Sequence, residues 1–341
     1  MKLIQKILIY SFFLGLGLLL FWWLYKDLDW KRLMQGFRIT NYYWILISII
    51  IGLFSHYIRS IRWNMLITPL GYHPKISNIF LSILIMYFTN LLVPRAGEVA
   101  RCTVLARYEK IPVSKLIGTM VVERIADIIT MITLLIIILV VNIGIVKEFF
   151  IQNPTVRINM NRLFSLSNIL IALTLTVGFI ILLFVFKPFN HTKFGSTILK
   201  IKKGFTEGIQ SILKLDNRWY FMGHTLLIFV CWLFMLYVVF KAFPPTQHLT
   251  IEAGMFTFLM GGLAMLAPVQ GGIGAWHYMV IKSLFLFGIS EESGKIFALV
   301  AHTSTNLIYL IFGLIAFGLL PLLNRKSIVK GEIREQIHDI T

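Results

Sequence analysis

Eight ionisable residues stand where an apolar chain would not be expected to hold them. Glu123, Arg124 and Asp127 lie inside the apolar stretch 115–141. Arg95, Glu98 and Arg101 surround a break after another such stretch. Arg59 and Arg62, next to Trp63, lie toward the end of a third. A charge near the centre of a bilayer costs roughly 2.5–3.5 kcal/mol on insertion scales, so such groups face a protein interior or a wet cavity and pair there. Guanidinium forks match phosphate oxygens, which suits Arg95 and Arg101 to an anionic group such as a lipid phosphate. Glu98, Glu123 and Asp127 would balance those arginines, relay a proton or bind a cationic headgroup. Glu123 and Asp127 are one helical turn apart and share a face. A plainer reading stays open beside this one. It takes the carboxylates as a buried ion-pair network that fixes helix register, and Arg59 and Arg62 as snorkelling to headgroups.

A motif that occurs twice must position these groups. Leu92-Val93-Pro94-Arg95-Ala96-Gly97 and Leu266-Ala267-Pro268-Val269-Gln270-Gly271 each interrupt a hydrophobic stretch. Proline removes a backbone donor and glycine lets the chain turn. In lipid such breaks are tolerated only where protein or a water-filled cavity surrounds them. Paired breaks in two halves of a chain point to a transporter's binding site. The half-helices expected after Gly97 and after Gly272 would direct N–H groups at an anion. In the run Gly271-Gly272-Ile273-Gly274-Ala275-Trp276-His277, His277 reads either as a pH-sensitive gate or as interfacial packing.

The elements around the breaks are membrane spans. The chain of 341 residues is 57% hydrophobic and only 14% charged, which excludes an ordinary soluble domain. Spans are expected over 7–25, 43–66, 115–141, 168–186, 220–241 and 296–320. Hairpins are expected over 76–93 with 97–108, and over 252–267 with 273–288. The fold class is therefore all-α and polytopic: about six full spans plus two re-entrant or broken-helix hairpins. The Trp22-Trp23 pair suits an interfacial belt, so the first span is read as uncleaved. Segment 198–213 reads as an interfacial helix.

The net charge of +17 sits in loops between spans, which favours anionic headgroups over nucleic acid as the partner. With both termini cytoplasmic, the cytoplasmic side gains about twice as many basic residues as the outside. Charge parity does not separate a re-entrant hairpin from two short crossings. Residues 1–141 and 168–323 then carry the same order of elements from opposite sides, an inverted-topology repeat. An extracytoplasmic connector (142–167) joins them, and a cytoplasmic tail (324–341) follows. His302 and Asn306 in the second half echo Glu123 and Asp127 in the first.

Other chemistry is missing from the sequence. Cys102 and Cys231 form no metal or disulfide pattern. No hydrolase, metal, phosphate-loop or dinucleotide motif is seen, so no cofactor and no catalytic residue is expected.

Asn90-x-x-x-Pro94-Arg95-x-Gly97-Glu98-x-x-Arg101, Glu123-Arg124-x-x-Asp127, Pro268-x-x-Gly271-Gly272-Ile273-Gly274 and Arg59-x-x-Arg62-Trp63 together resemble the lysylphosphatidylglycerol synthase transmembrane-region family. The resemblance covers about residues 5–323. It implies a flippase-like bundle without the soluble synthase domain. Where family members often carry an acidic residue after Gly-Gly-x-Gly, this chain has His277. The expected function is movement of a phospholipid or lipid-linked headgroup between leaflets of the cytoplasmic membrane. A membrane enzyme or accessory subunit acting on polyprenyl-linked or glycosylated lipid, and a small-anion transporter, stay open as alternatives. A homo-oligomer is compatible with the sequence.

Overall fold

The computed structural model describes residues 2–93, 95–141, 217–265 and 269–325, with isolated positions 143, 144, 151, 167, 174, 215 and 267. The expected span 168–186, interfacial helix 198–213, connector 142–167 and tail beyond Arg325 lie outside the described residues. So do Pro94, Leu266 and Pro268 of the two breaks.

The described chain is helical, without a strand. Its ten α-helices are α1 (Lys2–Tyr25), α2 (Trp30–Ile39), α3 (Tyr42–Ile67), α4 (Ile76–Leu92), α5 (Gly97–Glu109), α6 (Val113–Val141), α7 (Arg218–Ala242), α8 (Ile251–Ala264), α9 (Ala275–Leu286) and α10 (Glu291–Leu323). The helices through Tyr42–Leu70, Arg218–Ala242 and Glu291–Leu323 are long and apolar enough to cross a bilayer. α6 has 29 residues and carries Lys115, Glu123, Arg124 and Asp127 in an otherwise apolar run. Large apolar side chains point outward along these helices, among them Ile129, Ile136, Met222, Leu310 and Leu314. Lipid is the solvent that accommodates such a surface.

α2 was not expected. Asp29 caps it by accepting from the Lys31 backbone N–H at 2.9 Å. Leu33 and Gly36 face inward, while Trp30 and Met34 are exposed. Asn41 caps α3 in the same way, and that helix ends through a turn closed by Gly71 in the left-handed conformation.

The ends of the helices sort onto two sides. On one side, the start of α4 meets the end of α5: the Lys75 N–H and the Asn78 amide both donate to Glu109 Oε1, the latter at 2.6 Å. The end of α10 joins them through paired amides of Asn78 and Asn324. On the other side, the Tyr25 hydroxyl donates to the Lys295 carbonyl, Arg32 pairs with Glu292, and the Asn41 N–H donates to the Ala242 carbonyl. The feet of α8 and α9 belong here, with Leu249, Ile281, Leu284 and Ile289 in one apolar cluster.

Two hairpins therefore enter from opposite sides, and their tips touch. Gln270 Nε2, on the second tip, donates to the Leu92 carbonyl on the first at 3.1 Å. Tips in contact cannot lie at opposite membrane faces, so both hairpins stop inside the bundle. Their arms have 17, 13, 14 and 12 residues. At 1.5 Å per residue each arm is shorter than the roughly 30 Å hydrocarbon core. Contacts between the halves are reciprocal: α3 packs on α7, α4 on α10, and α6 on α8. A pseudo-two-fold axis gives this pattern.

The sidedness is testable by labelling. Cys102 and Cys231 are buried and give a low background. A cysteine replacing Lys110 is expected to react with an impermeant maleimide from the same side as one replacing Arg325. Replacements of Asp27 and His248 should react from the opposite side. Reaction of the Lys110 and Arg325 replacements from different sides would refute the first hairpin.

Candidate functional site

Two helices and one hairpin arm bring the charges together. Arg59 and Arg62 lie three residues apart on α3, and Glu123 and Asp127 four apart on α6, so each pair shares a face. Glu123 Oε1 accepts from Arg59 Nε at 2.7 Å and from Arg62 Nη2 at 3.0 Å. Its Oε2 lies 2.9 Å from Arg101 Nη2 of α5. Asp127 Oδ1 accepts from Arg62 Nη1 at 2.6 Å, and Asp127 Oδ2 lies 2.8 Å from Arg124 Nη2. Arg59, Arg62, Arg101 and Glu123 are almost wholly buried. The neutral wall of the cluster adds Tyr87, whose hydroxyl accepts from Arg59 Nη1, and Thr225, which accepts from Arg62. Arg101 stacks over the Trp63 ring at 4.3 Å, and Trp63 donates to Thr119.

Beside this cluster lies a cavity of about 770 Å³ between α3, α4, α6, α7, α8 and α10 and the two tips. Of the residues expected at a binding site, Arg59, Arg95, Glu98, Arg124, Asp127, Gly271 and Gly272 line it. Arg62, Glu123 and Arg101 stand behind this wall. The expectation that Arg95 and Arg101 together grip a ligand is thus corrected: Arg101 is committed to Glu123 and Trp63, and it is fully buried. Snorkelling of Arg59 and Arg62 is also corrected, because both meet carboxylates in the interior.

The tips depart from the expected half-helix termini. The Gly97 N–H is taken by Asn90 Oδ1 at 2.8 Å. The second half-helix starts at Ala275 rather than after Gly272, because Gly271, Gly272 and Gly274 all have left-handed backbone angles. Arg95 holds φ 60 without being glycine, an uncommon conformation that clusters at functional sites.

His277 is absent from the cavity wall. It is buried against Phe21, Tyr25, Trp276 and His302. Gly274 packs on α1, where an added Cβ would meet Leu20 and the Gly17 carbonyl. His302 lines the cavity instead. It donates through Nε2 to the Gly271 carbonyl at 2.7 Å, and Asn306 donates to its Nδ1 at 3.0 Å. Sequence reasoning missed the aromatic wall. Tyr87 and Tyr309 stack at 4.5 Å, with Trp232 and Trp276 also lining the space. No spacing signal marks these residues in a chain so rich in aromatics. Among the described residues, no group of His, Cys, Asp and Glu could hold a metal ion.

The comparisons agree with this architecture. The family model described as "Lysylphosphatidylglycerol synthase TM region" matches residues 6–313. A UPF0104 membrane protein of Methanocaldococcus jannaschii is 25% identical over 290 residues, covering 81% of this chain and 84% of that protein. No solved structure matches the chain. The polytopic helical bundle, the two hairpin motifs and the match over most of the chain lead to one conclusion: the chain belongs to the lysylphosphatidylglycerol synthase transmembrane-region family.

Proposed function

We propose that the protein moves a phosphate-bearing lipid between the leaflets of the cytoplasmic membrane, as a transporter rather than an enzyme, with both termini cytoplasmic. One observation carries this reading: the mid-bundle cavity joins apolar walls to buried arginines where the two oppositely entering hairpins meet. A headgroup needs polar groups during its passage, while its acyl chains can stay in lipid. The wall is also partly open to the outside of the bundle. Ile128 is 49% exposed, Met265 is 53% exposed, and the Arg124 side chain is 33% exposed. These residues line the cavity, and in the proposed path acyl chains trail from it into lipid beside α6 and the second hairpin. Arg59 and Arg124 would hold the phosphate, with Arg95 and Glu98 at the first tip. Anionic headgroups at the cytoplasmic surface would attract the basic loops.

Leaflet exchange of labelled phospholipids in proteoliposomes tests the proposal. Arg124→Gln and Asp127→Asn both alter the cavity wall and spare Glu123, which is fully buried. Arg124→Gln is expected to slow exchange by about tenfold, as loss of one charge-assisted contact would, and Asp127→Asn is expected to change the rate by releasing Arg124 and Arg62 from their carboxylate partner. Exchange unaltered in both variants would mean leak or another path. No exchange of any lipid by the wild type would sink the flippase reading.

A further inference from the structure

The charges at the cavity do not balance. Four guanidiniums (Arg59, Arg62, Arg101 and Arg124) surround two carboxylates, Glu123 and Asp127. Arg95 and Glu98, which also line the cavity, cancel as a pair. The other titratable groups that face the cluster or the cavity are His56, Tyr87, His302 and Tyr309, all neutral in their ordinary buried forms. Among the described residues the cavity wall and the cluster behind it thus carry together an excess of two positive charges inside the membrane. Uncompensated buried charge is expensive, and a ligand that neutralises it is favoured.

The donors point the same way. Arg59 is 1% exposed and lines the cavity, yet its Nη2 has no hydrogen-bond partner and stands 3.9 Å from Asp127 Oδ2. Arg124 Nε is unpartnered too. Each carboxylate lies within ion-pair distance of three or more arginines. Glu123 Oε2 and Asp127 Oδ2 accept no hydrogen bond but sit 2.9 Å from Arg101 Nη2 and 2.8 Å from Arg124 Nη2, so cations already occupy the approach that an amine would need.

We propose that the cavity is a site for a phosphomonoester dianion, with Arg59 and Arg124 as its direct ligands. This rests on the lipid-transport reading and deepens it. The cargo would be a lipid that ends in a phosphate monoester, rather than a phosphodiester lipid or an aminoacylated lipid with a cationic headgroup. A monoester carries about −1.5 to −2 charge at neutral pH, because its second ionisation falls near pH 6. A diester carries only one negative charge at any pH in the working range. The excess of two positive charges matches the former.

The test is binding of lipids to the full-length protein in detergent, followed as displacement of a fluorescent phosphatidate. The competitors are phosphatidate, phosphatidylglycerol with the same chains, and inorganic phosphate. Phosphatidate is expected to compete about tenfold better than phosphatidylglycerol at pH 7.5, and that ratio should shrink toward one at pH 5. Using the ratio cancels those effects of protein titration that act equally on both lipids. Arg124→Gln lowers the excess charge and should reduce the ratio, while Asp127→Asn raises the charge and should increase it. Equal competition by monoester and diester from pH 5 to 8 would overturn the proposal, and the leaflet assay could still succeed with phosphatidylglycerol. Conversely, a monoester preference with no leaflet exchange would support the site and reject the transport reading. Inorganic phosphate competing as well as phosphatidate would support the phosphomonoester chemistry and assign its source to soluble phosphate.

Discussion

Glu123→Gln is expected to destabilise the protein by about 3–5 kcal/mol, the usual cost of breaking a buried ion pair from one side. The cost arises from what remains. Arg59, Arg62 and Arg101 all converge on this one carboxylate at 2.7, 3.0 and 2.9 Å, and an amide cannot balance them. Thermal unfolding in detergent reads the effect. The partner change is Arg101→Met, which removes one stranded cation and fills similar volume beside Trp63. The double variant is expected to be more stable than Glu123→Gln alone, with a coupling above about 1 kcal/mol. A Glu123→Gln protein that melts with the wild type would show that the carboxylate does not anchor these helices. The same logic separates anchor from wall. Glu123 is fully buried and behind the cavity, whereas Asp127 faces it, so Asp127→Asn should perturb ligand preference more than folding.

The sequence made some of this legible for identifiable reasons. Helical spacing places Glu123 with Asp127, and Arg59 with Arg62, on shared faces without any tertiary information. It does not say that the two faces meet, because the pairing joins residues more than 60 positions apart. The breaks before Gly97 and Gly271 mark the hairpins. Charge parity cannot measure how deep a hairpin goes, and the depth became clear only from the contact between Gln270 and Leu92. α2 carried a readable signal, with Trp30, Leu33, Met34 and Phe37 at helical spacing after the capping Asp29. Ten amphipathic residues are too few to cross a bilayer, so hydropathy alone does not mark the element. The glycine cluster drew attention to His277, its neighbour in sequence. The histidine that binds the cluster's backbone is His302, from a different helix. Local motifs show where a chain turns, but not which distant side chain fastens the turn.

Gly97→Ala should be the most damaging small substitution in the first hairpin. The added methyl would collide with the Met86 carbonyl oxygen and lie 2.7 Å from Asn90 Oδ1. The Met86 carbonyl belongs to the backbone of α4 and cannot rotate away. Asn90 can move only by giving up its bond to the Gly97 N–H. Overpacking costs about 1–3 kcal/mol and the lost hydrogen bond about 1 kcal/mol more. Relief requires α5 to swing away from α4, carrying Glu98 out of the cavity wall and Arg101 away from Glu123. The variant should therefore lose both thermal stability and lipid exchange. Gly318→Ala is the control, since nothing lies within 4 Å of its Cβ position and alanine favours helix; it should melt at or slightly above the wild type. If Gly97→Ala kept full stability and exchange, close approach at this tip would not be what sets the charged wall. The positions of Glu98 and Arg101 would then have to be held by the rest of α5, through Arg101 on Glu123 and Trp63, Cys102 and Leu105 in the apolar cluster, and Glu109 at the foot of α4.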